Sequence, residues 1–482
     1  MISENVRRRA ESLLWTGSSE PRNPASQTLG ELAILIIVCL SVLAPGLYYT
    51  NTPQTRQELL LLVFYILIYV WLLMAGRVRL IRFHFLAVIA AGFSLSAVAS
   101  IFYAGIVLRH ELVYRDYFEI LKAWLPFLFF AVGYEVELSE AGLQRLLNWL
   151  GYTTLVICLY AWAQYRMMAF TFVINPYFSG SEKHDKALLV YHRVYSTLSN
   201  PNVLGQFLTW MLPAFTLALL FQVGSRLRNS VIVIACTITL VLTGSRYGLL
   251  TAALGIAIVF YLAIYMRSRV TVLVGLLLLV ATMAATFAIV QRNVTTISQR
   301  FQELRDPMQI ESIRERLDHL WGDAADYFIS SPWVGHGPNK QIFLDIYSDS
   351  EYLNVLKQYG VLGFIWYFAY YCWPIYQLTK GLKSSAQLSA EMESKLRTNR
   401  VMSCVGFIVL LTALVMNIGE FTFYNWELLG FIWLLVGLSV RATDVLGEMS
   451  SLTAAERRPA TGSRSTLLRP TAFTASPPRT SY

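Results

Sequence analysis

The sequence predicts an all-α, polytopic integral membrane protein, and three observations carry that expectation. The 482-residue chain is 55% hydrophobic and only 14% charged, with a mean hydropathy of +0.49. A soluble chain carries roughly 25% charged residues. Apolar runs recur along most of its length at the roughly 20 residues a helix needs to cross a bilayer. The basic residues gather in short loops and tails between those runs, so the net charge of +9 speaks for orientation and for contact with anionic headgroups, not for nucleic acid.

Run lengths give about 12 spans, at 30–50, 57–75, 84–107, 117–134, 147–166, 202–221, 229–243, 247–266, 270–290, 352–378, 401–418 and 426–441. A polar, Arg-rich segment, 1–29, precedes the first, and no A-x-A cleavage pattern follows that run, so it is expected to stay as a span. With Arg7, Arg8 and Arg9 in the cytoplasm, the loops after the second, sixth, eighth and tenth spans are cytoplasmic too. They carry Arg77, Arg79 and Arg82; Arg226 and Arg228; Arg267 and Arg269; and Lys380, Lys383, Lys395 and Arg397, as the positive-inside bias requires. Within the expected transmembrane domain, 30–441, two long segments then face outward, 167–201 and 291–351. In the second, Leu317, Leu320, Trp321, Ala324 and Phe328 recur at helical spacing and predict amphipathic helices on the outer surface. The remainder, 442–482, turns rich in Ser, Thr, Pro and Arg and is expected to be a disordered cytoplasmic tail.

The five cysteines, Cys39, Cys158, Cys236, Cys372 and Cys404, lie inside apolar runs without ligand-like spacing, and read as small core residues. Glu119 and Lys122, three apart in the fourth span, read as a mutually neutralising pair, although intramembrane charge is a functional suspect by default. Trp71 and Tyr367 read as interfacial anchors or packing.

Arginine is usually scarce on the outer side, yet Arg193, Arg246, Arg292, Arg300, Arg305, Arg314 and Arg316 all fall there. Guanidiniums pair with two oxygens of a phosphate at once, so such a gathering points to an anion. Arg246 occupies Thr243-Gly244-Ser245-Arg246-Tyr247, a pause between two apolar runs. The plain alternative is that it snorkels to the headgroups. Arg292, Arg300 and Arg305 read as surface charges, and Arg314 and Arg316, flanking Glu315, fit a solvated charge run equally well. Asn200-Pro201-Asn202 reads as the cap of the sixth span, His336 between two glycines as a turn residue, and Asp349 as either a cap of the tenth span or a base.

Four stretches in order resemble the O-antigen ligase and polymerase superfamily. Arg193 with Asn200-Pro201-Asn202 and Gly205 is similar to its R…NPNxxG entry to a span, and Thr243-Gly244-Ser245-Arg246 to its TxSR turn. Arg314, Arg316, Trp321 and Ser331-Pro332 through Gly335-His336-Gly337 resemble R…W…P..GxG. Asp349-Ser350-Glu351-Tyr352-Leu353 with Gly360 and Gly363 resembles HNxYL…GxxG. The resemblance covers about 190–365. It departs at Asp349 and Ser350, where the ligase pattern has His and Asn; altered versions of this position look like the polymerase branch.

The resemblance implies a glycosyltransferase that joins undecaprenyl-diphosphate-linked repeat units into O-antigen, capsular polysaccharide or exopolysaccharide on the periplasmic face of the bacterial inner membrane. Donor and acceptor are both the lipid-linked glycan, the surroundings are membrane lipids, and a chain-length regulator is a conceivable partner. Arg193, Arg246, Arg314 and Arg316 are the expected diphosphate ligands, with Arg246 acting in catalysis. Asp349 is the first choice of base, with Glu351 and His336 close by in sequence and His319, Glu420 and Asn202 as further candidates. Arginines in that role require no metal, and no cofactor is expected. The rival readings are a ligase moving the glycan to lipid A core or protein, and a flippase of the same lipid-linked sugars, which would line its spans with charge.

Overall fold

A computed structural model of the protein describes residues 24–43, 63, 67, 85–136, 138–178, 188–265, 320–340, 348–385, 390–423 and 426–457. The second expected span apart from Val63 and Leu67, the ninth expected span, Trp71, Arg292, Arg300, Arg305, Arg314, Arg316 and His319 lie outside them. Among the described residues all regular structure is helical. In chain order the helices are α1 (Pro24–Leu43), α2 (Phe85–Phe102), α3 (Tyr114–Lys122), α4 (Leu125–Glu135), α5 (Glu140–Tyr165), α6 (Ala169–Phe178) and α7 (Pro201–Leu220). There follow α8 (Arg226–Thr243), α9 (Arg246–Tyr265), α10 (Trp321–Ser330), α11 (Glu351–Ser385), α12 (Ala390–Lys395), α13 (Arg397–Met416) and α14 (Trp426–Arg457).

Among the described residues eight helical stretches are long and apolar enough to cross a membrane: Phe85–Val107, Tyr114–Glu135, Glu140–Tyr165, Pro201–Leu220, Arg226–Thr243, Arg246–Tyr265, Arg397–Met416 and Leu428–Thr453. They coincide with the third to eighth and the last two expected spans. The tenth expected span is α11, whose many tyrosines and tryptophans make it less apolar than the eight. Caps fix several starts. Ser139 Oγ accepts from Gly142 N at 3.1 Å to begin α5, and Asn200 Oδ1 accepts from Asn202 N at 2.8 Å with Pro201 in the first turn of α7.

The segment after 441 departs from the expectation of disorder: α14 continues to Arg457. Leu446 and Met449 recur three apart, and both are buried with Leu396 at the start of α13. An apolar stripe with a partner outweighs a polar composition. Tyr367 is fully buried in the core and is packing, not an interfacial anchor.

Among the described spans α7 is the most thoroughly buried, and it packs on α8, α9 and α13. α14 lies against α4, α11 and α13. Hydrogen bonds that join distant elements near the ends of the spans fall into two groups. At one end Thr197 Oγ1 donates to Val42 O (2.7 Å), Gly337 N to Ser100 Oγ (2.8 Å), Arg193 Nε to Thr243 O (2.8 Å) and Gln206 Nε2 to Phe421 O (3.0 Å). At the other, Arg145 pairs with Glu31 (2.5 Å), Asn399 N donates to Glu140 (3.3 Å), Tyr134 to Asp444 (2.6 Å), and Arg228 to Asn148. A chain crossing a membrane in alternating directions demands this sorting.

α11 is broken at Gly360, whose φ of 62° and ψ of −166° belong to glycine alone. The break frees backbone groups, and the turn 332–337 takes them: His336 N donates to Lys357 O (2.9 Å), Gly337 N to Gln358 O (2.9 Å), and Val361 N to Pro332 O (2.8 Å). The two segments approach so closely that a Cβ on Gly360 would lie 2.4 Å from the Trp333 backbone. The P..GxG and GxxG stretches are thus two halves of one junction.

Candidate active site

The site begins at the turn between α8 and α9. α8 ends on Gly244, at φ 60°, a left-handed conformation that suits glycine. This turns the Thr243 carbonyl towards Arg193, whose Nε donates to it at 2.8 Å. The same guanidinium donates through NH2 to Asn202 Oδ1 at 2.7 Å, and Asn202 Nδ2 donates to Glu420 Oε1 at 2.6 Å. Ser245 Oγ accepts from Gly248 N at 3.1 Å, so Arg246 enters the first turn of α9 half-buried. Tyr247 lies against Gly419, the neighbour of Glu420. Arg193, Asn202, Arg246 and Glu420 therefore share one layer, drawn from α7, α9 and the segments before α7 and after α13. One amide stands between the Arg193 guanidinium and the Glu420 carboxylate and contacts both.

Asp349 and Glu351 have different surroundings. Asp349 is half-buried and accepts from Trp321 Nε1 at 2.9 Å. Glu351 is fully buried; its Oε2 accepts from Thr422 N (2.7 Å) and Phe423 N (3.0 Å), and its N donates to Asn417 O (3.0 Å). Asn417 in turn donates to Tyr367 (2.7 Å) and Tyr371 (3.1 Å) and accepts from the Thr422 hydroxyl. Glu351 thus ties the start of α11 to the 417–423 turn that presents Glu420.

His336 sits at the α11 junction. Its Nε2 lies 2.9 Å from Tyr327 O and 2.7 Å from Ser330 Oγ. Burial, helped by the nearby His110, holds its imidazole below the ordinary pKa against the opposing pull of the Tyr327 carbonyl, and so favours the neutral ring. α10 connects it to Asp349, since Trp321 begins that helix and Tyr327 and Ser330 lie near its end. Glu119 is more than half of a pair. Its Oε1 meets Lys122 Nζ at 3.3 Å and Lys340 Nζ at 3.0 Å, and Tyr359 OH donates to Oε2 at 3.3 Å.

The sequence reading missed Gln164, Lys340, His110 and Asn417. Gln164 accepts through Oε1 from Tyr195 N (3.2 Å) and Ser196 N (2.7 Å), and so pins the strip that carries Arg193. Its signal was a lone amide near the end of an apolar run. The others give no local signal, because their partners are distant in sequence.

No curated protein matches the chain. Residues 231–368 match the family model Wzy_C, described as O-antigen ligase. That stretch holds Arg246, α10, the 331–340 turn, Asp349 and Glu351. The chain therefore carries, over residues 231–368, a domain of the Wzy_C O-antigen ligase/polymerase family, whose enzymes are membrane glycosyltransferases acting on lipid-linked glycans.

Proposed function

We propose that this protein polymerises undecaprenyl-diphosphate-linked oligosaccharide repeats on the periplasmic face of the bacterial inner membrane. The observation that carries the reading is the layer of Arg193, Asn202, Arg246 and Glu420, where cationic and anionic side chains gather at one end of a bundle of spans. A lipid diphosphate must lie at that level, with its tail in the bilayer and its sugars beyond.

The acceptor sugar's hydroxyl oxygen attacks the anomeric carbon of the donor. The bond from that carbon to the lipid diphosphate breaks, and its electron pair leaves on the diphosphate oxygen. Arg246 and Arg193 stabilise the charge that grows there; guanidiniums stay protonated and bind two oxygens in a fixed fork. The hydroxyl proton passes to a carboxylate, which we assign to Asp349, on the half-buried rim beside α10. Asp349 and Ser350 stand where the ligase pattern has His and Asn, and this favours chain growth over transfer to lipid A core. Ligation is the second reading, because the matched family is described as O-antigen ligase.

Arg246→Ala should abolish polymer while the protein stays in the membrane, a loss of about 10²–10³-fold in kcat for one preorganised donor. Arg246→Lys should fail too, because an ammonium lacks the fork. Full-length polymer from Arg246→Ala would overturn the assignment. Purified protein given the lipid-linked repeat alone should make a ladder; product only after lipid A core is added would establish the ligase instead.

A further inference from the structure

The turn on the α11 junction carries two buried polar atoms without hydrogen-bond partners, His336 Nδ1 and Asn339 Oδ1. Their character follows from the atoms beside them. A carbonyl can only accept, so His336 Nε2, facing Tyr327 O at 2.9 Å, holds the ring proton. Nδ1 is then a bare lone pair. Asn339 Nδ2 lies 2.5 Å from His110 Nδ1, and only the amide nitrogen has hydrogens to give there if Oδ1 points away. Asn339 Oδ1 is thus a second bare acceptor, and His110 carries its own proton on Nε2. The His110 and His336 rings stack, 5.9 Å apart and 16° from parallel, which gathers both acceptors around one imidazole. His336 is 7% exposed and Asn339 not at all. Donors occupy the rim: His110 is half-buried, and the Lys340 side chain is 34% exposed.

Buried acceptors are nearly always paired, so two in one turn mark a place where another molecule brings the hydrogens. An anion would meet lone pairs there, and an apolar chain would leave them unmet. A sugar hydroxyl gives one hydrogen and accepts others, and so matches acceptors set behind donors. We propose that the 335–340 turn is a glycan subsite: sugar hydroxyls donate to His336 Nδ1 and Asn339 Oδ1 and accept from His110 Nε2. This deepens the glycosyltransferase reading and rests on it.

α10 sets the distance from the reacting bond. Trp321 meets Asp349 and Ser330 meets His336, and a helix rises about 1.5 Å per residue, so the two places lie roughly 10–15 Å apart. A short oligosaccharide covers that length. The subsite therefore recognises sugars of the repeat unit away from the bond being made. Asn339 is fully buried, so the turn must open for a sugar to reach it; the backbone there stands at φ 38°.

Asn339→Gly suits that left-handed backbone and removes the amide alone. The probe is the repeat-unit oligosaccharide released from its lipid, titrated into the purified protein in nanodiscs. The wild type should bind it. Asn339→Gly should bind about tenfold more weakly, as expected for one lost hydrogen bond, and raise KM for the lipid-linked repeat by a similar factor with kcat unchanged. Arg246→Ala should bind the released oligosaccharide like the wild type, because that probe has no diphosphate. Equal affinity in wild type and Asn339→Gly, or no binding to the wild type, would mean that the two acceptors hold only water, and the subsite would be discarded. No product from the wild type given the lipid-linked repeat, with or without lipid A core, would instead overturn the glycosyltransferase reading, whatever the titration shows.

Discussion

Asn202 changes meaning between sequence and structure. In the sequence it belongs to a cap, and the cap exists: Asn200 accepts from its backbone N at 2.8 Å. Its side chain does something else, holding Arg193 on one side and Glu420 on the other. Glu420 thereby rises from a minor candidate to a neighbour of the arginines, while Glu351 is committed to backbone amides. Asp349 and Glu420 are the two described carboxylates that lie beside the proposed site and are half-buried, and isosteric amides separate them. In Asp349→Asn the new carbonyl can still accept from Trp321, and in Glu420→Gln from Asn202, so each variant keeps that hydrogen bond while losing the negative charge. We expect Asp349→Asn to lose about 10²–10⁴-fold in kcat, the usual worth of general base catalysis. Glu420→Gln should act mainly on KM for the lipid-linked donor, by weakening the orientation of Arg193. The reverse pattern in steady-state kinetics would transfer the base to Glu420.

The break in α11 shows what an element owes to its neighbour. Gly360 and Gly363 were legible as a motif, but not as a place where a helix stops and restarts. That follows only when the 332–337 turn arrives to take the freed backbone groups. Gly360→Ala would put a Cβ 2.4 Å from the Trp333 backbone, which cannot swing aside, in a conformation that costs a non-glycine residue roughly 1–3 kcal/mol. It should lower the melting temperature of the purified protein and uncouple the turn. A melting curve unchanged from wild type would show that the junction is not rigid. α14 teaches the converse. Its continuation to Arg457 was missed because composition was weighed above the spacing of Leu446, Met449 and their partner Leu396.

Considered whole, the protein sorts its turn contacts into two ends, and the proposed chemistry requires one end to face the periplasm. Arg109 and Leu227 are exposed at opposite ends of the bundle. In a variant without native cysteines, Arg109→Cys should react with a membrane-impermeant maleimide in cells whose outer membrane alone is permeabilised. Leu227→Cys should react only once the inner membrane is opened. The opposite labelling would invert the orientation and remove the periplasmic site. The sequence alone located the eight described spanning helices, because in lipid each segment must satisfy its own backbone hydrogen bonds, and a helix does so locally. The tertiary structure decided which side chains meet. Asn202 and Glu420 are 218 positions apart and Lys340 and Asp116 are 224 apart, and such contacts depend on how spans pack, which no local run of residues encodes.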